Sequence, residues 1–351
     1  MLNNDIDLVA VTDDDLFRYT ERVKDKVVLI TGDSKGIGRE TAIRFALYGA
    51  KVVIGDQDAW GAQEIVHEIV AAGGTAIDTR CSTTTWDDVV ALFDLAVKTY
   101  GDVDIVVANT GVTEVGQFKQ LSFDSNGKPV KPDLTTVDVN LVGVLYPVHL
   151  AQYYLARKRQ PNDLKALVVS GSFASWHGSP QAPLYSVSGC GVLGTMRSIY
   201  LDLQHKDIRT AVISPALGMP INDTLPSSAE ASTKGLSLSP TARVAGSIFH
   251  AATNPEKETS GRTWLIRDDG PLYMVPREDL DKGVFHPFNK RFARWVYHTS
   301  CPLHRLIIFS RMISTTNAVE GFLRNPSQYL MKPLVIIVLG FFGLYAYGIF
   351  L

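Results

Sequence analysis

A glycine-rich turn between an apolar strand and a helix most limits what this chain can fold into. Residues 26–30 read KVVLI, and the turn TGDSKGIG follows at 31–38 before a helical pattern at 39–48. Glycines in such a turn let backbone N–H groups approach a pyrophosphate at the N-terminus of the helix. The arrangement therefore predicts a dinucleotide-binding βαβ unit whose turn lies against the phosphates.

The alternation of strands and helices continues beyond this turn. Four further apolar strand segments are separated by stretches of helical length: 51–54, 105–108, 166–170 and 210–214. Alternating strands and helices predict a doubly wound parallel sheet with right-handed crossovers, the Rossmann-type α/β class. The alternation stops near Pro276, where a basic region begins, so we expect the domain to span residues 24–276.

A carboxylate at the end of the second strand bears on the choice of nucleotide. Asp56 comes about eighteen residues after Gly38, where it can accept hydrogen bonds from both ribose hydroxyls of an adenosine. It would repel a 2′-phosphate, so the sequence favours NAD over NADP. Lys35 within the turn favours the opposite choice, since a cation there could hold that phosphate, and NADP stays as the alternative cofactor.

Further motifs match one enzyme family in order and spacing. They are the glycine turn, Asn109-Thr-Gly111, Asn140 within DVNLVG, Ser172, and Tyr185 thirteen residues after that serine. With these motifs, residues 24–276 resemble the short-chain dehydrogenase/reductase family. The resemblance implies a Rossmann-type sheet, a nicotinamide cofactor, and hydride transfer between that cofactor and an alcohol or ketone.

The resemblance also implies roles for individual residues. Tyr185 would transfer the substrate proton, Ser172 would hydrogen-bond the substrate oxygen, and Asn140 would hold a water in the proton path. The residues expected to contact the cofactor are Gly32, Ser34, Lys35, Gly36, Ile37, Gly38, Asp56, Ser82, Asn109, Gly111 and Tyr185 itself. No metal ion enters this scheme, and the three cysteines show no ligand spacing.

Several positions depart from the family's pattern. The family's lysine four residues after the tyrosine is replaced by Gly189, and residues i and i+4 share one helix face. That lysine binds the nicotinamide ribose and favours the ionised phenol, so its loss would weaken alcohol oxidation most. Ser82 stands where the family has an aspartate at the adenine. Two interpretations stay open: an enzyme of altered chemistry, or a catalytically silent dinucleotide-binding scaffold or sensor attached to a membrane.

The C-terminal part of the chain differs in composition from the rest. From residue 286 onward, seven Lys or Arg stand against one Glu, and residues 333–351 carry no charge. Nineteen helical residues at about 1.5 Å each roughly match a hydrocarbon core of ~30 Å. We therefore expect a tail anchor at 333–351, preceded by a basic amphipathic membrane-proximal region at 277–332. The alternatives are a buried terminal helix and basic helices packed on the domain.

The expected anchor also shapes the expected location and substrate. With the basic residues before the span, the body would face the cytosol, and the endoplasmic reticulum is the expected membrane. A bilayer would deliver a lipophilic alcohol or ketone, such as a steroid, terpenoid, retinoid or acyl lipid.

The charge balance bears on nucleic-acid binding, and the first residues differ in composition from the domain. Lys plus Arg number 34 against 36 Asp plus Glu, a balance that argues against a nucleic-acid-binding protein. Residues 1–23 carry several aspartates and no apolar run, so we expect an acidic tail or short helix preceding the domain. A homo-oligomer stays open.

Overall fold

The computed structural model describes the chain in six ranges: 9–32, 34–160, 162–176, 178–215, 239–266 and 272–275. The chain divides into two units, Met1–Asp279 and Leu280–Leu351, and every described residue belongs to the first. The predicted basic region at 277–332 and the predicted anchor at 333–351 lie outside the described residues. Within those six ranges, no helix is both long enough and apolar enough to span a membrane.

Among the described residues, nine strands form one sheet in the order β1-β9-β8-β7-β6-β5-β2-β3-β4. Their bounds are β1 Val9–Val11, β2 Val27–Thr31, β3 Lys51–Asp56, β4 Thr75–Arg80, β5 Ile105–Ala108, β6 Ala166–Ser170, β7 Arg209–Pro215, β8 Arg262–Ile266 and β9 Leu272–Val275. Strands β2 to β8 are parallel, whereas β9 is antiparallel to both β8 and β1. The predicted parallel sheet is confirmed.

Helices cover both faces of the sheet. Their bounds are α1 Gly36–Leu47, α2 Ala59–Ala71, α3 Trp86–Tyr100, α4 Thr135–Val137, α5 Gly143–Tyr154, α6 Pro183–His205 and α7 Thr241–Thr253. A wide π turn at Asp138–Val142 joins α4 to α5. Short 3-10 turns occupy Asp13–Asp15, Thr20–Val23, Phe173–Ser175 and Lys257–Thr259.

The residues of β2 show how the sheet builds two cores. Val28 and Ile30 belong to the cluster that contains Phe45 of α1 and Phe249 of α7. Val27 and Leu29, on the opposite face, belong to the cluster that contains Phe93 of α3, Val148 of α5 and Met196 of α6. A parallel strand covered by helices on both sides has no polar face. This double burial explains the continuous apolar run that the sequence shows there.

The strand order creates a crevice beside β2. The chain runs from β2 outward to β3 and β4, and then returns to place β5 on the other side of β2. Connections therefore leave β2 and β5 in opposite directions at their carboxyl ends. Ligands of open α/β sheets bind at such a switch point, so the fold directs attention to the loops that follow Thr31 and Ala108.

The domain begins earlier in the chain than residue 24. Strand β1 pairs with β9 at the edge of the sheet, and Leu16 and Val23 are buried. The ring of Phe17 lies 5.4 Å from that of Phe249 on α7. The expected separate tail is thus corrected for residues 9–23, because the apolar residues scattered among the aspartates dock on α7.

Candidate functional site

The glycine turn lies at the carboxyl end of β2. Gly32 has φ of +75°, and a Cβ there would come within 2.5 Å of the Thr110 Cα. The position therefore needs glycine for its backbone conformation and for the close approach of the loop after β5. Gly36, also at positive φ, begins α1, while Lys35 at the N-cap makes no side-chain capping bond. Free N–H groups in a first helical turn suit an anionic phosphate.

Asp56 is fixed at the edge of this turn. It ends β3, and its carboxylate accepts hydrogen bonds from the Ser34 N–H and the Asp58 N–H, each at 2.9 Å. The side chain is buried, whereas Lys35 is exposed. The carboxylate therefore holds the glycine turn against β3, the side of the sheet on which the adenosine ribose was predicted.

Ser82 lies one strand further out, just past the end of β4. Its N–H donates to the Asp88 carboxylate at 2.9 Å, and its hydroxyl lies 2.9 Å from that of Thr84. Strand β4 is the direct neighbour of β3, so Ser82 and Asp56 occupy adjacent strand ends. This placement agrees with the predicted adenine side of the site, although the Ser82 side chain is engaged within its own turn.

Asn109 joins three strand ends at the crevice. Its side-chain Nδ2 donates to the Gly32 carbonyl at 2.8 Å, and its Oδ1 accepts from the Ser170 hydroxyl at 2.7 Å. The Asn109 N–H also donates to Thr31 Oγ1 at 3.3 Å. The side chain thus fixes the glycine turn to the ends of β5 and β6, and Gly111 follows two residues later in the same loop.

Asn140 supports the loop that contains Asn109 and Gly111. It lies in the π turn, where its Oδ1 accepts from the Val112 N–H at 2.7 Å and its Nδ2 donates to the Val112 carbonyl at 2.8 Å. The side chain is buried. Its observed task is to fix the loop backbone, and its role in holding a water stays a prediction.

Tyr185 and Ser172 lie on two segments that pack together. Tyr185 is the third residue of α6 and is half-buried. Ser172 precedes the 3-10 turn at Phe173–Ser175, and its Oγ accepts from the Ala174 N–H at 3.1 Å. The Cys190 thiol of α6 donates to the Ser175 carbonyl at 3.3 Å. In the described part of the chain, no side chain hydrogen-bonds to the Tyr185 hydroxyl.

The helix position four residues after Tyr185 faces the Ser175 hydroxyl. A Cβ at Gly189 would come within 2.6 Å of the Ser175 hydroxyl oxygen. That hydroxyl is buried and has no hydrogen-bond partner among the described residues. The Ser175 hydroxyl therefore lies in the space that the Cβ of a larger residue at position 189 would need.

Arg197 is the one arginine of α6, and it is engaged elsewhere. It lies twelve residues beyond Tyr185, which is about 18 Å along a helix. Its guanidinium lies 5.0 Å from the ring centroid of Trp176, and burial lowers the pKa of Arg197. Arg197 therefore does not replace the missing lysine.

Within the six described ranges, no cluster of His, Cys, Asp or Glu could hold a metal ion.

The sequence analysis missed Glu114. Its carboxylate accepts hydrogen bonds from the Leu184 N–H at 3.2 Å and from the Tyr185 N–H at 2.8 Å. Glu114 is half-buried in the loop after β5, 71 residues before Tyr185. A lone acidic residue in a loop has no periodic signal, so only the fold shows this contact.

Comparison with known proteins finds matches over most of the chain. The family model described as short chain dehydrogenase matches residues 26–220. L-rhamnose 1-dehydrogenase (NAD(P)(+)) of Azotobacter vinelandii is 30% identical over 261 residues, which are 71% of this chain and 97% of that protein. 3beta-hydroxysteroid dehydrogenase 1 of Eggerthella lenta is 30% identical over 264 residues, 75% of this chain and 94% of that protein.

A solved structure shares the fold. The crystal structure of a dehydrogenase/reductase from Sinorhizobium meliloti superposes with a TM-score of 0.61 and 23% identity, over 71% of this chain and 96% of that one. The family model covers more than half of the chain, and the two enzymes above align over nearly their whole length. The chain is a member of the short-chain dehydrogenase family.

Proposed function

We propose that this chain is an NAD(P)-dependent oxidoreductase that moves hydride between the nicotinamide and a lipophilic alcohol or ketone. One observation carries the proposal: the loop after β5 joins both halves of the site. Asn109 fixes this loop to the carbonyl of Gly32 in the cofactor turn, and Glu114 fixes it to the backbone of Tyr185. The dehydrogenase names of the relatives support the same class of reaction.

The cofactor site fits a dinucleotide. The glycine turn and the N-terminus of α1 would bind the pyrophosphate, and Asp56 would accept hydrogen bonds from the adenosine ribose. When bound, the nicotinamide supplies or accepts the hydride. The fixed carboxylate supports NAD as the preferred cofactor, while exposed Lys35 is the feature that favours NADP.

Tyr185 and Ser172 would handle the substrate oxygen. In carbonyl reduction the neutral phenol donates its proton to that oxygen, while the Ser172 hydroxyl donates a hydrogen bond to it. Alcohol oxidation needs the phenolate instead, and Gly189 provides no cation beside it. We therefore propose reduction as the favoured direction.

Exposed apolar side chains near the site residues in the chain support a lipophilic substrate. Twelve large apolar side chains are exposed in the described residues, and seven of them lie between Gly111 and Asn140 in the chain or within two residues of Ser172 or Tyr185. Five are in the loop of residues 116–135, one follows Ser172, and one is two residues past Tyr185: Phe118, Leu121, Phe123, Val130, Leu134, Phe173 and Val187. Lys119 of this loop donates to the Pro180 carbonyl at 2.8 Å, close to the start of α6. A contiguous patch of such side chains would mark a binding surface.

Action at a membrane surface is the part of the proposal that rests on the sequence. The uncharged segment 333–351 and the basic residues before it support a tail anchor. The bilayer that holds this anchor would supply the substrate, with the body on the cytosolic side of the endoplasmic reticulum.

The direct test is turnover by the purified full chain in mild detergent. We expect oxidation of NADH with at least one member of a panel of hydrophobic ketones. Tyr185→Phe should abolish this turnover and leave NADH binding intact, because the phenol acts on the substrate proton. Tyr153→Phe is the matched control, since Tyr153 is an exposed tyrosine on α5. Turnover that survives Tyr185→Phe would contradict the mechanism.

The second candidate is a catalytically silent dinucleotide-binding protein. The contact between Gly189 and Ser175 favours it, because this contact closes the position from which a lysine would assist the phenol. The same assay separates the two candidates. Binding of NADH without turnover of any ketone in the panel would support the silent protein.

A further inference from the structure

We infer that Glu114 is a positioning residue for Tyr185, and that it acts by completing the first turn of α6. This inference rests on the proposed function, because it concerns the residue that would transfer the proton. Glu114 contacts the backbone of Leu184 and Tyr185 rather than the Tyr185 hydroxyl, so its action on the phenol is indirect.

The backbone hydrogen bonds of this turn can be counted completely. The first N–H groups of a helix have no partner within the helix. Ala182 at the N-cap donates to the Ser179 carbonyl, Pro183 has no N–H, and Ser186 makes the first bond within the helix, to the Ala182 carbonyl at 3.0 Å. The two N–H groups that remain belong to Leu184 and Tyr185. Both donate to the Glu114 carboxylate.

The N-cap residue of α6 has no side-chain acceptor for these two N–H groups. Most helices use a Ser, Thr, Asp or Asn side chain at the N-cap to accept from the second and third residues. In α6 the N-cap is Ala182, and no side-chain capping bond is formed there. The acceptor comes instead from the loop after β5, so the turn that carries Tyr185 is attached to a different part of the sheet.

The position of Glu114 is in turn fixed by the segment 135–142. Asn140 binds both the N–H and the carbonyl of Val112, and the Val115 N–H donates to Thr136 Oγ1 at 2.8 Å. Glu114 lies between these two anchored residues. Asn140 therefore supports Tyr185 through the loop and Glu114, which gives its buried side chain a positioning role beside any contact with water.

This arrangement connects the glycine turn to the first turn of α6 through one loop. The same loop is fixed to the Gly32 carbonyl through Asn109. Loss of the Glu114 contact would leave the cofactor turn intact and let the first turn of α6 fray. A displacement of the catalytic group by about 1 Å can lower the rate about 100-fold.

The test compares Glu114→Ala with a variant that restores the acceptor from another place. Glu114→Ala/Ala182→Asp moves the carboxylate to the N-cap, where it can accept from the same two N–H groups. We expect kcat to fall by about 10- to 100-fold in Glu114→Ala, with an unchanged Kd for NADH, and to recover largely in the double variant. Glu64→Ala, on an exposed position of α2, is the control and should behave like wild type.

Hydrogen exchange supplies a readout that does not depend on activity. Amide exchange in the peptide containing residues 182–188 should accelerate in Glu114→Ala and slow again in the double variant. Unchanged exchange in Glu114→Ala would overturn the inference, even if the wild type turns over no substrate and the proposed function fails. Restored exchange protection without restored kcat would also overturn it, because Glu114 would then act on the substrate directly.

Discussion

Gly189 of α6 lies so close to Ser175 that a Cβ at residue 189 would come within 2.6 Å of the Ser175 hydroxyl oxygen. The Cα and Cβ of Ser175 would be 3.5 Å away, which is ordinary van der Waals contact. The hydroxyl oxygen is therefore the one atom of Ser175 that lies too close. Because that hydroxyl is buried without a partner among the described residues, a side chain at residue 189 would have to displace it by rotation about the Cα–Cβ bond of Ser175.

The first prediction concerns this pair. Gly189→Lys alone should lower the melting temperature, since overpacking costs about 1–3 kcal/mol and the gain in helix propensity is less than ~1 kcal/mol. In the Ser175→Ala background the same substitution should be neutral or stabilising. Thermal unfolding of the four proteins gives the interaction energy between the two sites.

Activity provides the second half of this prediction. Gly189→Lys/Ser175→Ala should raise alcohol oxidation more than ketone reduction, because a cation beside the phenol favours its ionised form. Purely additive stability changes would mean that the hydroxyl does not close the position. An unchanged oxidation rate in a folded double variant would mean that a lysine here does not reach the phenol.

The second prediction concerns the apolar C-terminus. The full chain should resist carbonate extraction from membranes, whereas a chain ending at Lys332 should become soluble or peripherally attached. Any remaining attachment through the basic region 277–332 should be released at high salt, since screening weakens attraction to anionic lipid. Identical fractionation of the two chains as integral membrane proteins would contradict the predicted anchor.

The third prediction is a loss of stability at mildly acidic pH, caused by His250. Its Nδ1 donates to the Asp15 carbonyl and its Nε2 accepts from the Asn254 side chain, so the buried ring is neutral. Burial lowers the pKa of His250 below its ordinary 6.5. Below pH 6.5 the unfolded chain takes up this proton before the folded chain does, so the free energy of unfolding falls as pH falls. The slope from this group is at most about 1.4 kcal/mol per pH unit.

Chemical unfolding between pH 7.5 and pH 5 measures this slope. His250→Gln should flatten it, whatever the variant's absolute stability. His67→Gln is the control, because His67 is exposed on α2 and makes none of the contacts of the buried His250. Asp15 also has a lowered pKa, held down mainly by the hydrogen bond from the Thr12 side chain, but its contribution is lost only as the pH falls below its ordinary value of 3.8. A slope that persists in His250→Gln would assign the effect to another group.

The parts of the fold that follow from local patterns could be predicted from the sequence. The glycine turn lies between KVVLI and a helix in the sequence, and the structure places it between β2 and α1. Residues 9–23 could not be assigned to the domain, because a three-residue edge strand and a few apolar residues among aspartates have no clear period. Their docking on α7 depends on surfaces that only the folded chain assembles.

The candidate site also combines features with a local sequence pattern and features that depend on tertiary packing. The motifs that resemble the family point to Ser172 and Tyr185 without any structure, and the roles of these two residues stay predictions. The Glu114 contact with Tyr185 joins residues 71 positions apart, and the Ser175 contact with Gly189 depends on how a 3-10 turn packs on a helix. Neither contact has a sequence signal, since each depends on tertiary packing.

The last prediction concerns the preference between NADH and NADPH. The hydrogen bonds of Asp56 decide which variant tests this preference. NADH should bind more tightly than NADPH, because the Asp56 carboxylate would repel a 2′-phosphate. That carboxylate also accepts from the N–H groups of Ser34 and Asp58. Asp56→Ala would remove charge and hydrogen bonds together, and an unsatisfied buried N–H costs about 1–3 kcal/mol. We therefore expect this variant to weaken both cofactors, by about tenfold or more.

Asp56→Asn separates the effect of the negative charge from the effect of the hydrogen bonds to the backbone. The amide oxygen can still accept one of the two N–H groups, while the negative charge is gone. We expect Asp56→Asn to weaken NADH less than Asp56→Ala does, because only one N–H loses its acceptor, and to narrow the preference for NADH over NADPH in titrations of both cofactors. Lys35→Ala, in the same turn, should lower NADPH affinity alone if that cation contacts the 2′-phosphate. A wild-type protein that binds NADPH more tightly would show that Lys35 outweighs the carboxylate, because electrostatic attraction would then exceed the repulsion from Asp56.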